Sequence, residues 1–157
     1  RLQAWGAAVR MAFDYPLGVG AGNFPSAYGR FYIPDAASNR VTYRSQRWAS
    51  AHSIYFIVLG EYGFLGLAML LVLIASCFRA NVRSRRKFRA EAEPVLDERI
   101  PAILNMALVG YAVGGAFLGG FSYPHLFLLA GLTVAVMKIA EREAVAASSP
   151  APGECSR

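Results

Sequence analysis

Charged side chains are missing from two long stretches of this chain. From Ile100 to Met137 no Asp, Glu, Lys or Arg occurs in 38 residues, and from Tyr62 to Phe78 none occurs in 17. A hydrocarbon core about 30 Å thick takes about 20 apolar residues, at about 1.5 Å of rise each, so both stretches are sized to cross a bilayer. Soluble domains carry about a quarter of their residues as charges; here the share is 17%, with hydrophobic residues at 55%. Cysteine is nearly absent. Cys77 and Cys155 offer neither a disulfide framework nor a metal-ligand spacing. An Asp-rich cluster to hold a divalent cation is also lacking, as is any short internal repeat. No signal peptide precedes Arg1, which lies inside an amphipathic segment, so the chain reads as the C-terminal part of something longer.

The charges that remain set a topology. Three spans are predicted, at about Ile54 to Phe78, Pro101 to Phe121 and His125 to Met137, the third extendable to Ala140. A Ser122-Tyr123-Pro124-His125 turn separates the last two, since proline ends one helix and starts the next. The loop at 79–100 carries Arg79, Arg83, Arg85, Arg86, Lys87, Arg89 and Arg99, and the positive-inside rule places it in the cytoplasm. Residues 1–53 then lie on the outer, periplasmic side, 54–140 form the membrane domain, and 141–157, rich in Ala, Ser and Pro from Ala144, read as a disordered cytoplasmic tail. The fold class is all-α: a polytopic integral membrane protein of about three transmembrane helices with an outer loop region. The basic run at 83–89 is read as an orientation signal in contact with anionic lipid, not as a nucleic-acid patch.

The outer segment is itself basic. Arg1, Arg10, Arg30, Arg40, Arg44 and Arg47 face only Asp14 and Asp35, and arginine without lysine favours forked contact with phosphate or carboxylate. Long translocated loops also cross regardless of charge, which leaves a bland explanation open. From Arg1 to Phe13, Leu2, Trp5, Val9 and Phe13 fall at helical spacing, as in an amphipathic helix lying in the interface with Trp5 in the aromatic belt. Gly18, Gly20 and Gly22 alternate in the next segment. Neither their spacing nor their context fits a dinucleotide fingerprint, and a tight loop using unusual backbone angles is expected instead.

His52 stands at the outer mouth of the first span, with Arg47 upstream and Tyr55 one turn on. An imidazole at a polar-apolar boundary suits a general base for a hydroxyl nucleophile, and it equally suits a helix cap or headgroup anchor. Glu61 lies within the span and needs a partner or a wet face. In the second span, Gly110 with Gly114 and Gly115 with Gly119 are read as close-packing sites.

The order R-L-Q-A-W, D-Y-P-L-G-V-G-A-G-N-F, a polar loop, then A-H-S-I-Y-F-I-V-L-G-E-Y-G-F-L-G-L resembles the C-terminal half of the O-antigen ligase and polymerase superfamily, most of all the O-glycosylation ligases associated with exosortase systems. The likeness covers about residues 1–78. The family motif H-[NSQ]-x-x-L-x-x-x-x-x-x-G meets His52, Ser53 and Gly63, with Phe56 in place of leucine. The resemblance implies an inner-membrane, metal-independent glycosyltransferase without a cofactor. It would pass a glycan from undecaprenyl pyrophosphate to a lipid or protein hydroxyl on the periplasmic face. His52 would be the catalytic base, Arg1 the foremost diphosphate contact, with Arg47 and Arg10 behind it, and Tyr55 and Glu61 would position the acceptor or shape the site. A polymerase of the same superfamily differs only in acceptor. The alternative from another class is a non-catalytic transporter or flippase subunit, for which inverted repeats and polar, broken mid-membrane helices are expected; apart from Glu61 near the start of the first, none of the three spans is interrupted by charge.

Overall fold

The computed structural model describes residues 2–29, 50–91, 94–119 and 124–148. Among them five helices form and no strand: α1 (Leu2–Asp14), α2 (Phe24–Ala27), α3 (Ile54–Ala90), α4 (Arg99–Phe117) and α5 (His125–Ser148). Helices α3 and α4 are long and apolar enough to cross a membrane. Their most apolar stretches are only 28% and 22% buried, which separates them from the core helices of a water-soluble domain. Leu65, Met69 and Val72 on α3 and Ile103, Met106 and Val113 on α4 all lie exposed. A surface this apolar calls for a non-aqueous partner.

Helix boundaries depart from the predicted spans in informative ways. The first span ends at Phe78 by composition, yet α3 runs on to Ala90 through most of the expected basic loop, because Arg, Lys and Ala are strong helix formers whatever their charge. The predicted second span opens two residues late and overshoots the end of α4. The third falls inside α5, which is apolar only as far as Met137. The expected disorder from Ala144 is corrected in part: α5 continues to Ser148. There the Glu-Arg-Glu-Ala-Val-Ala-Ala sequence favours helix, and the Glu143 carboxylate takes the Val95 backbone N–H.

The described residues divide into two compact units. The first contains α1, the glycine loop, α2, the start of α3 to Val72 and the end of α4 from Ala112. Ala4, Ala7, Ala8, Met11 and Ala12 form the buried stripe of α1, at the i, i+3, i+4, i+7, i+8 spacing of one helix face. The expected apolar stripe is turned outward instead. Leu2 is 77% and Phe13 70% exposed, and only Trp5 of that set packs inward. Small side chains win the inner face because they let backbones approach closely. Beyond Pro16, the loop uses Gly18 at φ 86°, Gly20 at φ 97° and Gly22 at φ 72°, the left-handed angles expected of it.

The loop docks on a break in α3. Gly63 has φ 67° and ψ −162°, which no helix contains. An unbroken helix would pair the Phe64 N–H with the Gly60 carbonyl. Instead the Phe64 N–H donates to the Pro16 carbonyl at 3.1 Å, the Val19 N–H donates to the Gly60 carbonyl at 3.0 Å and the Gly20 N–H donates to the Glu61 carbonyl at 2.9 Å. Loop and helix thus satisfy each other's backbone, which matters most in lipid, where an unpaired peptide group costs several kcal/mol. The approach leaves no room for side chains: a Cβ on Gly18 would lie 2.2 Å from the Glu61 carbonyl oxygen and one on Gly63 1.9 Å from that of Pro16. Gly60 meets the Phe24 ring in the same way.

The second unit holds the rest of α3, the start of α4 and α5. Phe88, Leu104, Val136 and Ala140 form its core. Asp97 caps α4 by accepting the Arg99 N–H at 2.8 Å on its carboxylate. Asn81, fully buried, donates from its side-chain amide to Asn105 Oδ1 at 3.0 Å and to Thr133 Oγ1 at 3.2 Å. One polar residue therefore ties three helices together, the kind of interhelical bond that apolar surroundings favour.

Gly63→Ala should unfold the protein in detergent at markedly lower temperature, since it meets both a left-handed φ and a backbone clash, together worth at least about 2 kcal/mol. Gly110→Ala, whose Cβ would meet nothing within 4 Å, should be neutral or stabilising by up to about 1 kcal/mol. Thermal unfolding followed by circular dichroism checks both; equal effects would remove the break from its stabilising role.

Candidate active site around His52

The segment 50–53 is held from several sides in the first unit. Trp5 donates its indole N–H to the Ala51 carbonyl at 2.8 Å, and its ring stacks on Phe56 with centroids 4.8 Å apart and planes 12° from parallel. Ala51 is buried completely. The Ser53 carbonyl accepts the Ile57 N–H at 3.0 Å and so begins α3. Gly119 lies against the same turn, since a Cβ there would sit 3.3 Å from Ser50 Oγ and 3.8 Å from His52 Cα.

Between two buried neighbours, His52 is exposed and left-handed, with φ 46°. It is the sole non-glycine residue with positive φ among those described, in a region that L side chains rarely occupy and that clusters at functional positions. Its backbone N–H donates to Ser50 Oγ at 3.4 Å. The left-handed turn throws the imidazole outward while the chain on either side is locked inward. Ser53 is 1% exposed, and its hydroxyl has no hydrogen-bond partner among the described residues.

The other sequence candidates divide. Arg1 and Arg47 lie outside the described residues. Arg10 is exposed on α1. Tyr55 donates its phenol O–H to the Ala112 carbonyl at 2.8 Å, so its hydroxyl joins α3 to the end of α4. Glu61 is 9% exposed and accepts the Phe24 N–H at 3.3 Å on Oε1, which answers the need for a partner: the carboxylate meets the first backbone N–H of α2. Both residues therefore build the scaffold around the turn. Among the described residues, no hydrogen bond or ion pair joins any two of His52, Arg10, Tyr55 and Glu61.

Trp5 was expected in the aromatic belt and is instead the clamp on the peptide before His52. Its spacing three and four residues from Leu2 and Val9 suggested a shared outward face, and nothing local signals a carbonyl acceptor 46 positions away. The glycine pairs of the predicted second span also divide. Gly115 packs on Ile54 and Gly119 beside Ile57, while Gly110 and Gly114 meet no atom within 4 Å.

Comparison with protein-family models, curated proteins and solved structures finds no match to this chain.

Replacing His52 separates backbone from side chain. Asn tolerates the left-handed region and Val does not, so His52→Asn should leave thermal stability in detergent close to that of the parent and His52→Val should lower it by about 1 kcal/mol or more. Equal stability of the two variants would show that the φ of 46° is not imposed by the fold.

Proposed function

We propose that this chain belongs to an integral membrane glycosyltransferase of the O-antigen ligase type, with three spans and its site on the periplasmic face. The observation that carries the reading is the exposed imidazole of His52, held on a left-handed residue between two buried ones at the mouth of α3. The backbone that carries the base is held in this way, and its exposed side chain is open to an acceptor hydroxyl. The acceptor oxygen, from a lipid or protein hydroxyl, attacks the anomeric carbon and gives its proton to His52. The bond from that carbon to the pyrophosphate oxygen breaks, and the electron pair leaves with the undecaprenyl pyrophosphate. Arginine forks suit the charge that develops there, and Arg10, Arg1 and Arg47 are the residues assigned to it. Tyr55 and Glu61 act as positioning residues through the scaffold they hold. Ligase and polymerase share this chemistry and differ in the acceptor.

A transporter subunit is the second reading, favoured by the break in α3 beside a buried carboxylate. In transporters such breaks leave carbonyls free to coordinate ions. Here the Gly60 and Glu61 carbonyls are already occupied by the glycine loop, which favours a docking role for the break over an ion site.

In membrane vesicles supplied with a polyprenyl-pyrophosphate glycan and an acceptor, His52→Asn should reduce transfer by about a hundredfold or more while the protein remains in the membrane fraction. Transfer near the parent rate would remove the base assignment. Unchanged glycan movement across sealed vesicles with no transfer in either protein would support the transporter reading.

A further inference from the structure

Arg79, Arg83 and Lys87 follow one another at intervals of four residues near the end of α3, so the three cations stand one turn above another on a single face. A groove of about 610 Å³ lies beside them, within the second unit, and Leu73, Val134 and Met137 share its lining. That volume is of the order of pockets that hold small molecules. The two helices bordering it run parallel: Asn81 meets Thr133, and Phe88 packs with Val136 and Ala140 further along. The cations therefore line the α3 side of the groove, Val134 and Met137 of α5 lie level with them on the other side, and Leu73 precedes Arg79 along α3.

Among the described residues the cations are uncompensated. Neither ion pair among the described residues involves Arg79, Arg83 or Lys87. The one acid in the lining, Glu141, is already bound to Lys138 at 3.3 Å. On the opposite flank of α3, by contrast, Arg89 is paired with Glu98 at 3.2 Å. Three unpaired cations next to an apolar channel match a ligand that is anionic at one end and aliphatic along its length. A free phosphate would meet the cations and leave the apolar side wetted.

We propose that this groove binds an anionic glycerophospholipid of the surrounding bilayer, its phosphodiester on Arg79, Arg83 and Lys87 and one acyl chain along Leu73, Val134 and Met137. The arrangement follows the general pattern of basic pockets between spanning helices, and it rests on the membrane part of the proposed function, not on glycosyl transfer.

Alkaline carbonate washing of membranes comes first; release of the protein would overturn the membrane reading and the lipid site together. Retained protein is then purified in nonionic detergent and titrated with dioleoylphosphatidylglycerol, dioleoylphosphatidylcholine and glycerol 3-phosphate, bound molecules being counted by native mass spectrometry. The phosphatidylglycerol should bind in preference to the other two. Combined Arg79→Gln, Arg83→Gln and Lys87→Gln, at exposed side chains, should weaken it by roughly a hundredfold, and Arg85→Gln with Arg86→Gln on the other flank should have far less effect. Val134→Trp, which narrows the groove from its apolar side and leaves every charge, should weaken binding about tenfold. Equal loss from both charge sets, equal binding of phosphatidylcholine, glycerol 3-phosphate binding as tight as the lipid, or no effect of Val134→Trp would each overturn the site while leaving membrane insertion intact.

Discussion

The exchange of backbone hydrogen bonds at Gly63 is the constraint on which the first unit depends. A helix that reached unbroken from Ile54 to Ala90 would keep its peptide groups to itself and offer the glycine loop nothing to bind. By turning one residue into the left-handed region, α3 releases the Gly60 and Glu61 carbonyls and the Phe64 N–H at one level, and three loop residues take them up. The loop in turn fixes the end of α1 and the start of α2. Glu61 completes the arrangement from the side chain, since its carboxylate holds the Phe24 N–H while its own carbonyl holds Gly20. Four glycines at 18, 20, 60 and 63 make this possible, at least three of them because a Cβ would collide with backbone or ring atoms.

Much of this was legible in the residues. Charge-free runs announced α3 and α4, and alternating glycines announced a loop with unusual angles. The His-Ser pair marked a helix start. What was illegible depended on distant partners. Gly63 was matched to the glycine of a family motif with no break expected there, because only the loop 45 positions earlier makes its break favourable. The inner face of α1 was misread for a related reason. Hydrophobicity ranks Leu2 and Phe13 above alanine, whereas four of the five buried positions are alanine, and Leu2 and Phe13 are left facing outward. Helix ends were misplaced where charge was taken to stop a helix; charge ends a span, and α3 and α5 continue beyond it as helices.

Of the candidate site, sequence reasoning named the imidazole and the buried acid, and the structure separates their roles. Of the described candidates, His52 and Arg10 are exposed. Tyr55 and Glu61 are engaged with backbone groups, so a motif that groups the three by proximity in the chain reflects a shared framework more than a shared contact. Ser53, with its buried hydroxyl, and Trp5, with its long-range bond to Ala51, belong to the same framework. The second unit uses a different device, in which a single buried asparagine joins three helices where shape alone would let them slide.

The bond from Trp5 to the carbonyl immediately before His52 makes α1 and the backbone turn that carries the imidazole a mechanical unit. Leu2, Val9 and Phe13, exposed on the far side of that helix, are the surface that would sink into the lipid boundary. A movement that lifts or tilts α1 would then be transmitted through one indole to the backbone turn that carries His52.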